Sequence, residues 1–158
     1  MIIVSDTSVI TYLIQIEQLS LLKNLFDKVI LSKKVEEELS KVEGQLTLIK
    51  SIEWIKIEQI SNQELYNEIE QKLDAGEAES IVLAIELNAD ILLIDEKKGR
   101  KIAEKFGLRI TGLLGVLIEA KKQNLIPILK PLLDKLIYEI GFRISPKLYQ
   151  DILKRVGE

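Results

Sequence analysis

Short apolar runs alternate along this chain with stretches whose apolar positions recur at helical spacing. Met1-Ile2-Ile3-Val4, Val29-Ile30-Leu31 and Ile91-Leu92-Leu93-Ile94 are continuous and brief, which predicts strands buried in a parallel sheet. Trp54–Ile57 and the shorter Leu108–Ile110 are further strand candidates. Between them, Ile10, Leu13, Ile14, Leu21, Leu22 and Leu25 predict helix from Val9 to about Phe26. Helices are also expected near Lys34–Val42, Gln63–Lys72, Gly76–Asn88 and Lys97–Phe106, where Gly107 suits the left-handed residue that follows a helix. This alternation predicts an α/β fold with a parallel sheet, right-handed crossovers and helices on both faces.

The last third of the chain reads as helix alone: Leu113–Gln123, Ile128–Tyr138 and Pro146–Val156. Ser145 followed by Pro146 is a cap and first-turn pair. Leu129, Leu132, Leu133, Leu136 and Ile140 form an apolar stripe, expected to pack on the domain's own core. A homodimer or partner-protein surface is the other use of such a stripe. No repeat, low-complexity tract or linker interrupts the chain, so residues 1–158 are expected to form one domain, with a core over 1–125 and a helical extension over 126–158.

Composition narrows the chemistry. The chain has no His and no Cys, so any reaction must use carboxylates, hydroxyls, Lys or Arg, and a hard, oxygen-preferring cation is the natural companion. The lack of thiols, of a signal-type leader and of any apolar run near the ~18 residues of a membrane helix leads us to expect a cytoplasmic protein. A net charge of −3 excludes a global basic field for nucleic acid and leaves room for a local patch. Lys97, Lys98, Arg100, Lys101 and Lys105 are that patch, or simply a solvated helix face. Arg100 is the preferred phosphate-positioning residue, because a guanidinium grips phosphate bidentately.

Four acids stand where a sheet of this kind gathers side chains. Asp6 and Asp95 each follow a buried strand, and ligands bind outside the carboxyl ends of such strands. Each Asp is also placed to cap the next helix. Within Glu36-Glu37-Glu38, Glu38 lies nearest the stripe of Val35, Leu39 and Val42. Glu77 lies on the side of Ile81 and Ala84, whereas Glu79 and Glu86 point toward an expected solvated face; Asp74 with Glu77 also forms a capping-box pattern. Carboxylates gathered in one pocket repel and are tolerated mainly around a cation. Metal-assisted phosphodiester hydrolysis is therefore the leading chemistry, with one or two ions.

The segments Asp6-Thr7-Ser8, Val35-x-x-Glu38-Leu39, Gly76-Glu77-Ala78-Glu79 and Leu93-Ile94-Asp95 together resemble the PIN-domain family over about Met1–Ala120. The resemblance implies a three-layer α/β/α fold with strand order 3-2-1-4-5. It also implies an acidic Mg²⁺ or Mn²⁺ site and endoribonuclease activity on RNA, in some members as the toxin of a toxin–antitoxin pair with an antitoxin protein as partner. Residue by residue, Asp6, Glu38, Glu77 and Asp95 match the family's catalytic and metal-binding acids, and Ser8 matches its nearby hydroxyl. Glu79 competes with Glu77 for the third acid. The run Gly76-Glu77-Ala78-Glu79 through Asp95 and Arg100, then Gly112-Leu113-Leu114-Gly115, looks like a less characterised PIN subgroup, and the helices from about Ile126 onward exceed the compact toxin length.

Other folds with an Asp after the first strand fit less well. Haloacid-dehalogenase-like phosphatases need a second Asp where Ser8 stands, and the von Willebrand A-type site needs a Ser where Ile10 stands. Response-regulator receivers need two acids where Ser5-Asp6 gives one, and a dinucleotide fold needs a glycine-rich first turn. The non-enzymatic alternative is a PIN-like module that binds RNA or protein without cleaving.

Overall fold

The computed structural model describes residues 1–158. Its strands are β1 (Ile3–Ser5), β2 (Val29–Ser32), β3 (Ile55–Glu58), β4 (Ile91–Leu93) and β5 (Ile110–Thr111). They pair in the order β3-β2-β1-β4-β5, every pair parallel. The helices are α1 (Thr7–Gln15), α2 (Ser20–Phe26), α3 (Lys33–Leu39), α4 (Gln45–Lys50), α5 (Gln63–Glu70), α6 (Ala75–Glu86) and α7 (Lys97–Lys105). Three more follow: α8 (Leu113–Lys122), α9 (Lys130–Asp134) and α10 (Pro146–Arg155).

Successive strand residues point to opposite faces, and the two halves of the core divide accordingly. Ile3 and Leu93 join the larger apolar cluster with α1, α2, α3 and α8; Val4 and Leu92 join the smaller one with α5, α6 and α7. Chain crossings leave β1 toward β2 on one side while β4 pairs on the other, so the sheet's switch point lies between β1 and β4.

The helix expected over Val9–Phe26 is two helices. Glu17 adopts a left-handed backbone (φ 58) between them. A straight helix would carry the Ile10–Leu13 stripe onto Glu17; the break leaves Glu17 in solvent while Ile16 and Leu19 stay buried. No apolar periodicity announced α4, which buries only Gln45 and Ile49. The last strand starts later than expected, because the Leu108 N–H still bonds to Ala103 C=O in closing α7.

The apolar stripe of the extension is core. Leu129, Leu133 and Leu136 are at most 1% exposed and belong to the larger cluster, as do Ile152 and Leu153 of α10. The homodimer expectation therefore loses the face on which it stood. After α9 the backbone widens into a π-helical turn, Lys135–Ile140, which ends at Gly141 (φ 87). No helix is long and apolar enough to cross a membrane.

Candidate metal centre

Asp6 is fixed by the sheet itself, its N–H donating to Leu93 C=O at 2.9 Å. It precedes α1 but makes no side-chain capping bond. The side chain is 4% exposed and Oδ1 has no partner. Burial pushes this carboxyl up to about 7; the Thr7 N–H opposes the shift, and Asp74, Glu38 and Asp95 add repulsion.

Asp95 does not cap α7 either. Its Oδ1 accepts the Leu113 N–H at 2.9 Å, at the start of α8, while Oδ2 is buried without a partner. Burial raises its carboxyl, against the pull of the Leu113 N–H and of Arg100. The two strand-terminal aspartates thus reach the switch point by different means, one through the sheet and one through a distant helix.

Glu38 is held at both oxygens. Thr7 Oγ1 donates to Oε1, and the Gly76 N–H donates to Oε2 at 3.0 Å. One side chain of α3 is therefore tied to the start of α1 and the start of α6.

Glu77 and Glu79 are both buried, at 5% and 6% exposure, which corrects the expectation that Glu79 faces solvent. The cause is that α6 is enclosed on every side from Gly76 to Ala84. Glu79 has its own use: Oε1 accepts the Lys34 N–H at 2.8 Å in the first turn of α3. Glu77 Oε2 has no partner. Burial raises the Glu77 carboxyl first, followed by hydrogen bonding to and repulsion from Asp74, then by Asp6 and Glu96. Asp74 caps α6 by accepting the Glu77 N–H at 2.9 Å.

Three glycines make room for three of these acids. A Cβ on Gly76 would strike the Glu38 carboxyl; on Gly99 it would lie 2.7 Å from Glu77 Oε2, and on Gly112 2.5 Å from Asp95 Oδ1. Such approaches occur where backbone must come close to a functional group.

Asp74 is the acid that sequence reasoning passed over as a cap. It lines a recess of about 410 Å³ with Asp6, Thr7, Ser8 and Glu38, and it is the foremost charged neighbour of Asp6. Its position one turn before Glu77 on the same helix was the available signal. Ser8 lines both this recess and an adjoining cleft of about 800 Å³ that contains Asp95 and Arg100. Of the basic run, only Lys97 and Arg100 line that cleft; Lys98, Lys101 and Lys105 are solvated.

Asp6 Oδ1, Glu77 Oε2 and Asp95 Oδ2 are buried oxygens with no donor, a donor set that suits a hard divalent cation. No group of three or more acids is drawn together closely enough to hold a metal ion as the side chains stand. A family model described as a PIN domain, DUF3368, matches residues 2–158. No curated protein and no solved structure matches the chain.

Proposed function

The chain belongs to the PIN-domain family, and from that premise we propose that it is an endoribonuclease hydrolysing RNA phosphodiester bonds with Mg²⁺ or Mn²⁺. The observation that carries this reading is the trio of unpartnered, buried carboxylate oxygens on Asp6, Glu77 and Asp95. In a metal-free fold each is a cost, since a buried group without a partner forfeits its hydration. Their chemistry matches the oxygen-preferring ions that PIN nucleases use.

In this reading Asp6, Glu77 and Asp95 hold the cation, with Asp74 at the rim. When bound, the ion supplies a Lewis acid for the phosphoryl oxygen and a more acidic water. Glu38, with both oxygens oriented by Thr7 and Gly76, is placed to accept a proton from the attacking water. The Ser8 hydroxyl, at the junction of recess and cleft, orients water or phosphate. Arg100 lies beside Asp95 and steadies a phosphate.

The setting we propose is cytoplasmic, as the toxin of a toxin–antitoxin pair with an antitoxin protein as partner. Incubating a labelled single-stranded RNA pool with the protein and Mg²⁺ or Mn²⁺ tests the chemistry. Cleavage should stop with EDTA and with Asp6→Asn, and growth arrest on expression should be relieved by the same substitution. Cleavage that persists in Asp6→Asn puts the site elsewhere, and neither cleavage nor metal binding favours the RNA- or protein-binding module.

A further inference from the structure

The extension beyond residue 126 covers the core, but its middle reaches the candidate active site. At Gly141 the π-helical turn ends, and the Phe142 N–H closes back on Leu136 C=O at 2.8 Å. This turn sets Phe142 against Tyr12 of α1, ring centroids 5.1 Å apart and planes at 87°. Tyr12 lines both the acidic recess and the larger cleft. Ile140 lines the recess, while Phe142 and Arg143 line the cleft, joined there by Arg155 from the last turn of α10.

The charge in that cleft is not what the whole chain predicts. The protein carries a net charge of −3 and only four arginines, yet Arg100, Arg143 and Arg155 all line this one cleft with Lys97. Asp95 and Glu96 are the only acids on its wall. Every ion pair in the protein uses a lysine, so the three guanidiniums are exposed and unpaired. Planar guanidiniums match phosphate oxygens bidentately. A cleft of about 800 Å³ is of small-ligand size, room for a few unpaired nucleotides.

We infer that the extension forms one wall of the substrate cleft, where Arg143 and Arg155 act with Arg100 to hold backbone phosphates of single-stranded RNA next to Asp95. The inference rests on the ribonuclease reading for the identity of the ligand. Arg143 and Arg155 are positioning residues, and the Tyr12–Phe142 pair is the step that separates the acidic recess from the phosphate track.

The test is binding, measured apart from cleavage. Full-length Asp6→Asn protein is titrated by fluorescence anisotropy against a labelled single-stranded oligoribonucleotide across a salt series. In that background Arg143→Gln with Arg155→Gln should weaken binding and lower the slope of log affinity against log salt by about 1.4, or roughly 0.7 for each phosphate left without its arginine. Replacing both arginines by lysine should keep most of the slope. Lys23→Gln with Lys28→Gln removes the same charge from a separate depression beside Trp54 and should leave binding unchanged. An unchanged slope in the arginine double variant, an equal loss in the lysine control, or no RNA binding by the parent overturns the inference. The nuclease reading fails separately, by absence of metal-dependent cleavage in the unsubstituted protein while arginine-dependent RNA binding remains.

Discussion

Glu77 and Glu79 are buried glutamates two residues apart, and what separates them is whether an N–H is waiting. Glu79 meets the Lys34 N–H and secures the start of α3; Glu77 keeps an unpartnered oxygen beside Asp74 and Asp6. A glutamine at 79 still accepts that hydrogen bond without its charge. Glu79→Gln should therefore lower stability by about 1 kcal/mol, or roughly 2–4 °C in Tm, and keep metal-dependent cleavage. Glu77→Gln should abolish cleavage and the Mn²⁺-induced rise in Tm, while the metal-free protein becomes no less stable. Thermal scans with and without Mn²⁺ distinguish the two, and the reverse pattern would make Glu79 the third acid. Spacing in the sequence put Glu79 on the outer face because a helical wheel assumes one solvated face, and only the family resemblance kept it as a competitor. The wheel cannot register that α6 is enclosed by the sheet, α3, α5 and α7. The same blindness hid Asp74, whose capping bond is real and whose second role depends on where β1 ends.

At the scale of elements, the centre of the sheet was legible because strands buried on both faces must be continuous apolar runs, and three of the five, β1, β2 and β4, were read as such. The break at Glu17 was not, since it follows from a conflict between one charged residue and the core that surrounds it. Least visible were the glycine seats, which join elements far apart in sequence: α6 to α3 through Gly76, α7 to α6 through Gly99, and α8 to Asp95 through Gly112. Gly76 stands in the first turn of α6, where alanine would ordinarily favour the helix by up to about 1 kcal/mol. Here the new methyl meets the carboxyl end of Glu38, a flexible group that can swing away at the loss of its Thr7 and Gly76 bonds. We expect Gly76→Ala to fold with a Tm close to that of the parent but to cleave RNA at least tenfold more slowly, about the effect of misplacing a general base. Undiminished cleavage with a higher Tm would reduce Gly76 to an ordinary helix position and Glu38 to a dispensable one.

For the molecule as a whole, the cost of the acidic centre falls on folding stability, and its pH dependence follows from linkage. Asp6 is raised from 3.8 to about 7 in the folded, metal-free protein, and Glu77 and Asp95 are raised as well. Groups whose folded pKa exceeds the unfolded value bind more protons when folded. Their contribution is complete below the unfolded value and is lost as pH rises through the folded one. Asp134, lowered by hydrogen bonds from Tyr149 and Lys130, acts in the opposite sense and protects stability only above the acid range. So does Glu158, where the Leu129 and Lys130 N–H groups and Lys121 together outweigh burial. In EDTA, Tm should therefore fall from about pH 5 through the folded values of about 7 for Asp6 and about 9 for Glu77, by an amount on the order of a few kcal/mol or roughly 5–10 °C. A cation needs the same carboxylates ionised, so stabilisation by Mn²⁺ should grow over that interval and flatten the profile. Asp6→Asn should shrink the fall without metal, leaving the share of Glu77 and Asp95, and erase the response to Mn²⁺. If Tm in EDTA instead rises through neutral pH and Mn²⁺ shifts nothing, the buried carboxylates are satisfied by the protein alone, and their role as a cation site fails with them.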